Sequence, residues 1–235
     1  MAKILAVETA TKVCSIALID GKEILGELSL NIPQVHVERL VIMINNLLDN
    51  LHLKHSDLDA IAVSNGPGSF TGLRIGLSVA KGIAFALNKK VIAVPTLDAI
   101  AFHLREFDNG KVVVPLLHAR TEEFYYASFR LVDSKLEPLG DYKIAEAETI
   151  ADEFETDAIF VGDGVEAFSK NEIVQRKFSF GSLKNLPASA REVALLAEQK
   201  FESGGFADLS SLVPLYIKDF VAVKGNPLNK PLEKI

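Results

Sequence analysis

A single cysteine, Cys14, stands in a chain of 235 residues. One thiol cannot close an internal disulfide, so packing must hold the fold, and the pattern fits a reducing compartment. Cys14 lies in the apolar run from Val13 to Leu18 and reads as a small buried hydrophobe. A basic surplus is lacking too: 31 acidic and 25 basic residues leave a formal net charge of −6. Proteins that grip a nucleic-acid backbone draw most of their affinity from neutralising phosphates. The densest basic stretches here, Lys89-Lys90 and residues 224–234, are short and diluted, which argues against autonomous binding of nucleic acid. No uncharged apolar run approaches the roughly 20 residues that span a bilayer. The amino terminus shows no signal-peptide pattern. The expectation is a cytoplasmic protein without membrane partners. The 5 histidines include no pair four apart on a helix, and no Ser–His–Asp or Cys–His arrangement is readable.

A hydrophobic fraction of 49% and a charged fraction of 24% are those of a globular chain. Its length suffices for one large domain or two modest ones. Lys3 to Val7, Val13 to Ile19 and Glu23 to Leu30 read as strands, with Asp20-Gly21 as a hairpin turn. Residues 33–53 then change to helical period, with Leu40, Ile44, Leu47, Leu48 and Leu51 on one stripe. Leu58 to Ser64 and Val91 to Val94 read as strands. Thr71 to Leu87 and Thr96 to Arg105 read as helices, the second with Thr96 as N-cap. The theme restarts after a turn-like stretch at 106–111. Strands are expected over 112–117, 124–132, 136–144 and 158–161, and helices over 149–154 and 188–201. The order predicts an α/β protein of two related halves, 1–106 and 107–217, each a mixed sheet with flanking helices and the second reduced. An irregular tail follows over 218–235.

The most informative segment runs from Ser64 to Gly76 and carries Gly66, Pro67, Gly68, Ser69, Thr71 and Gly72. It follows a strand and opens a helix. Glycines and a helix N-terminus can cradle an anion, or the glycines can serve a tight turn and close packing. It is neither a Walker A loop nor a dinucleotide fingerprint. After the strand at 158–161, Gly162-Asp163-Gly164 reads either as a plain strand–turn–helix connection or as part of a nucleotide cleft.

Gly66 to Arg74 closely resembles the signature of the TsaB family (also called YeaZ), a branch of the ASKHA superfamily of actin-like ATPases, sugar kinases and Hsp70, whose halves are ribonuclease H-like. Ile4 to Thr11, His36 to Leu40, Pro115 to Arg120, Phe124 to Ala127 and Pro214 to Tyr216 are similar to other family segments. The resemblance spans about residues 3 to 217. It implies a non-catalytic subunit that pairs with the catalytic subunit TsaD and works with the ATPase TsaE. Their product is N6-threonylcarbamoyladenosine on tRNAs reading codons that begin with A, with tRNA met only through the complex. It implies no tightly bound cofactor, ATP or ADP entering only in the complex, and a homodimer when TsaD is absent. It places a vestigial nucleotide site at Glu8, Thr9, Gly162, Asp163 and Gly164. Partner contacts would come from the first two helices, at His36, Leu40, Met43, Leu73, Gly76 and Ala80. Val35, Val41, Ile42 and Met43, apolar but off the main stripe, widen the first helix's face. Glu8 stands where the superfamily's kinases place Asp, and His118 where Asp-Ala-Arg is expected. TsaD's His-x-x-x-His metal motif has no counterpart at Thr96 to Ile100, which removes metallopeptidase chemistry. The rival reading is an independent ATPase or small-molecule kinase working at Glu8.

Overall fold

The structure, a computed structural model, describes residues 1–32, 35–106, 110–133, 135–180 and 186–217, with 35–38 described by backbone alone. The expected tail at 218–235 lies outside these residues, as does the middle of the expected turn at 106–111.

The first half forms a five-stranded sheet in the order β3-β2-β1-β4-β5. β1 (Lys3–Glu8), β2 (Cys14–Asp20) and β3 (Glu23–Leu30) are antiparallel, and the Asp20-Gly21 hairpin is present with Gly21 at φ 60°. β4 (Ala60–Ser64) runs parallel to β1, and β5 (Lys90–Val94) parallel to β4. Both faces of this sheet are covered, which is why its central strands read as continuous apolar runs rather than alternating ones. On one face Leu5, Val7, Ile16, Leu18, Ile61 and Val63 pack against α1 (Val35–Asn50) and α2 (Phe70–Leu87). On the other, Ile4, Ala6, Ala17, Ala62, Ile92 and Val94 meet α3 (Thr96–Phe102) and α7 (Ala190–Glu202). Thr96 is not the cap expected of it: Pro95 holds that position and Thr96 begins the helix without a capping bond.

The second half repeats the plan on a smaller scale. Its central strand β6 (Val112–Arg120) has β11 (Ile159–Val161) parallel on one edge. On the other edge run β7 (Glu123–Tyr126) and β8 (Phe129–Val132), both antiparallel to it. The single strand expected over 124–132 is therefore interrupted. Leu116 faces Tyr126 and Val113 faces Phe129, which leaves Pro115 opposite the break at Ala127–Ser128. Proline offers a neighbouring strand no N–H, and the ladder lapses there. The outer strand is interrupted likewise, into β9 (Lys135–Pro138) and β10 (Lys143–Glu146). α4 (Ala147–Glu153), α5 (Val165–Phe168) and α6 (Glu172–Lys177) cover one face around Phe124, Phe160, Phe168 and Phe178. The other face, through Val113, Leu117, Phe129 and Val161, packs on Leu97, Ile100 and Ala101 of α3. α3 thus lies between the two sheets. α7 belongs to the second half by sequence position, yet it packs on the first sheet.

Candidate functional site

The turn from Glu8 to Lys12 joins β1 to β2 and sits on the start of α2. Thr9 Oγ1 donates to the Gly72 carbonyl at 2.8 Å, and Ser69 N–H donates to the Ala10 carbonyl at 2.7 Å. The approach is close enough to require glycine. A Cβ at Gly68 would lie 2.4 Å from Ala10 O, one at Gly72 2.0 Å from Thr9 O, and one at Gly76 2.2 Å from Thr9 Oγ1. The helix is capped from within, since Gly72 N–H donates to Ser69 Oγ at 3.2 Å. Two N–H groups that an anion would need are therefore already taken, by Ala10 O and by Ser69 Oγ. The glycine segment acts as a tight turn with close packing, the second of its two readings. Gly66 ties the segment to the start of α3, its carbonyl accepting from Thr96 N–H at 2.8 Å, while Asn65 O accepts from Leu215 N–H at 2.7 Å. Thr71 is exposed.

Glu8 ends β1 fully buried. Oε1 accepts from Ala10 N–H at 2.5 Å. Burial pushes its pKa up to about 7; the Ser64 hydroxyl and the Ala10 and Thr11 amides oppose that shift, and the Asp163 charge adds to it. Ser64 lies against the carboxyl, yet neither Ser64 Oγ nor Glu8 Oε2 has an aligned hydrogen-bond partner. Asp163 comes from the other half. Burial raises its pKa too, while the His118 amide and the Lys12 charge hold it down. Glu8 and Asp163 thus face each other across the halves, whereas Thr9 turns toward α2. The glycines beside Asp163 serve packing: a Cβ at Gly162 would lie 2.3 Å from Leu116 O, and one at Gly164 3.0 Å from His118 N.

The helix residues expected at a partner surface need correction. Leu40, Met43, Leu73 and Ala80 are buried in the chain's own core, and Gly76 faces Thr9. The stripe that meets the sheet has the same spacing as a stripe that would meet another helix, so spacing alone could not separate them. The side chain of His36 lies outside the described residues. The outward residues are Val41 and Ile42 of α1, 50% and 46% exposed, with Gly82 and Phe85 of α2. Phe85 is 80% exposed, and nothing lies within 4 Å of a Cβ built at Gly82.

Elsewhere His118 is exposed, with Nε2 3.1 Å from Thr121 O, and Arg120 pairs with Glu123 at 3.7 Å. Among the described residues no group of three or more His, Cys, Asp or Glu is placed to hold a metal ion. Two buried polar clusters carried no local signal in sequence, because their members lie far apart along the chain. In one, Tyr142 O–H donates to Asp98 Oδ1 at 2.7 Å beside Lys200, whose Nζ donates to Ala93 O at 2.8 Å. Burial raises Asp98 to about 6 against the opposing Tyr142 bond. In the other, Glu192 lies 3.5 Å from Arg105 and 3.6 Å from His103, beside a cleft of about 430 Å³ that Glu27 and Arg191 also line.

Residues 30–222 match a family model described as TsaD: tRNA N6-adenosine threonylcarbamoyltransferase. The chain is 30% identical to the tRNA threonylcarbamoyladenosine biosynthesis protein TsaB of Haemophilus influenzae, covering 95% of this chain and 97% of that one. It is 28% identical to the Escherichia coli K12 protein of the same description, over 96% and 98% of the two chains. The solved structure of YeaZ from Pseudomonas aeruginosa superposes with a TM-score of 0.79 at 29% identity, covering 92% of this chain and 100% of that one. With sequence likeness over nearly the whole length and the same two-halved fold, the chain belongs to the TsaB (YeaZ) family.

Proposed function

We propose that this chain works in tRNA threonylcarbamoyladenosine biosynthesis as a non-catalytic subunit, docking on a TsaD-type partner through the outward face of α1 and α2. The observation that carries this reading is the composition of that face. α2 has a mean hydropathy of 1.4 over 18 residues, enough by length and composition to cross a membrane, yet only 33% of it is buried within the chain. An apolar helix of which only a third is buried by its own chain has a second face to cover. Val41, Ile42 and Phe85 leave large apolar surface outward, and Gly82 lets another helix come close. The pathway is that of the relatives, which are tRNA threonylcarbamoyladenosine biosynthesis proteins. The filled anion cradle at Ser69 and Gly72 supports a role other than phosphate transfer.

The test is titration of the chain with a TsaD-type partner by calorimetry, alongside ATP hydrolysis by each protein alone. A stoichiometric complex that Gly82→Arg weakens at least tenfold, with the variant folded as the parent is, supports the docking face. Gly76→Arg is a poor probe of that face, because the new side chain would drive into Thr9. Unchanged affinity in Gly82→Arg refutes the face; no complex, together with ATP turnover that Glu8→Ala abolishes, favours an independent ATPase.

A further inference from the structure

Acidic residues are missing from the middle of the first half. Between Asp59 and Asp98 there is none, whereas Arg74, Lys81, Lys89 and Lys90 are basic, in a chain of formal net charge −6. The segment after α7 runs back past β5 and α2 along this stretch. Ala207 bridges Val91, Lys81 Nζ donates to Leu212 O at 3.0 Å, and Leu215 N–H donates to Asn65 O at 2.7 Å. Aromatic rings meet the cations on the way. Lys90 Nζ lies 5.8 Å from the centre of the exposed Phe206 ring. At the far end Tyr216 stacks on Phe70, with ring centroids 6.0 Å apart and planes inclined at 30°. The Arg74 guanidinium carbon sits over Phe70, 3.9 Å from the ring centre. Phe70 is 37% and Tyr216 44% exposed, and Arg74 is exposed as well.

Among the described residues no carboxylate forms an ion pair with Arg74 or Lys81. Asp208, on the returning segment, instead accepts from the Ser210 and Ser211 hydroxyls at 2.6 and 2.9 Å. The positive charge beside the rings is therefore not neutralised within this part of the chain. An apolar protein segment laid over the rings would bury the Arg74 charge without a counter-charge, which is costly. A nucleotide suits both halves of the arrangement: its base stacks on a ring or on a guanidinium plane, and its phosphate meets the cation. We propose that Phe70, Arg74 and Tyr216 form a stacking platform for an unpaired base of RNA, with Arg74 and Lys81 toward its phosphates. The choice of a nucleotide rests on the stack and its charge, and the choice of RNA on the proposed pathway. The net negative charge of the whole chain makes this a weak contact in the isolated protein, to be measured at low salt.

The test is titration of a short single-stranded RNA, carrying a fluorescent adenine analogue that stacking quenches, with the full chain alone at low salt. Because no partner is present, the result does not depend on the α1–α2 docking face. Saturable quenching is expected, weakened about 5- to 100-fold in Tyr216→Ala and in Arg74→Ala. Tyr216→Phe keeps the ring and should bind as the parent does. An abasic strand of the same length should bind at least about fivefold less tightly, since it offers phosphates and no base. Circular dichroism should show each variant folded as the parent is. No quenching, quenching that Tyr216→Ala and Arg74→Ala leave unchanged, or an abasic strand bound as tightly overturns the proposal. Variants that weaken binding of a TsaD-type partner and leave the RNA titration unchanged would assign the stack to a protein interface and overturn it too.

Discussion

Alanine at two glycines of α2 should have opposite effects. Gly76 and Gly82 lie in the same helix, and Gly→Ala in a helix interior ordinarily gains about 1 kcal/mol. At Gly82 the new methyl meets nothing within 4 Å, so the gain should appear in full, as a Tm increase of about 2–4 °C for a chain of this size. At Gly76 the Cβ would lie 2.2 Å from Thr9 Oγ1. Overpacking of this kind costs about 1–3 kcal/mol. Displacing the Thr9 hydroxyl from the Gly72 carbonyl removes about 0.5–1.5 kcal/mol more. The net should be a loss of roughly 1–3 kcal/mol, or roughly 2–12 °C in Tm. Gly72→Ala should be worse than either, because its contact at 2.0 Å is with the Thr9 backbone carbonyl, which has no rotamer by which to move. The assay is urea and thermal unfolding of the chain alone. Thr9→Ala combined with Gly76→Ala should recover part of the loss, with a coupling of at least about 0.5 kcal/mol. Similar effects at Gly76 and Gly82, or no coupling to Thr9, would refute the account of how the turn seats α2.

Glu8 predicts a pH dependence. Its folded pKa of about 7 exceeds the ordinary 4.5, so between those values the folded chain holds a proton that the unfolded chain has released. Stability should therefore fall as pH rises from 4.5 to about 7, by roughly 3 kcal/mol, and urea midpoints of Glu8→Gln should lack that slope. Tyr142→Phe removes a 2.7 Å bond to Asp98 and should destabilise by about 1–3 kcal/mol. The loss should be greater at pH 8 than at pH 5, because Asp98 titrates at about 6; equal losses at both would show that the bond does not favour the ionised form. Cys14 is fully buried, and burial, followed by the Glu8 charge, pushes its thiol up to about 11. Ellman's reagent at pH 8 should react with it only in urea.

The first sheet was readable because its signals are local: three apolar runs, an Asp-Gly turn, and a glycine segment between a strand and a helix. The breaks in β7–β8 and β9–β10 were not, because they depend on what lies opposite. Pro115 gave no sign of interrupting a strand a dozen residues away until the register set it against Ala127–Ser128. Glu8 and Asp163 were grouped in one site by the family resemblance alone; no local signal joins them, because their meeting depends on how the two halves close. The inward turn of Leu40, Met43, Leu73 and Ala80 illustrates the ambiguity of a helical stripe, which names a buried face without saying what buries it. Of the residues off that stripe, Val41 and Ile42 do lie outward, whereas Met43 is buried with the core. Asp98, Tyr142 and Lys200 meet only in three dimensions.

The return of α7 to the first sheet has a consequence for how the chain is made. Ile4, Ala6, Ala17, Ile92 and Val94 find much of their cover in Ala190, Val193, Ala194 and Ala197. During synthesis that face stays bare until the last of these residues leaves the ribosome. At translation speeds of about 5–20 residues per second, the wait after the first half is complete is on the order of ten seconds. The two halves are thus repeats in topology but a single unit in assembly. A fragment ending before Ser189 would carry every strand of the first sheet and still expose one of its faces to water.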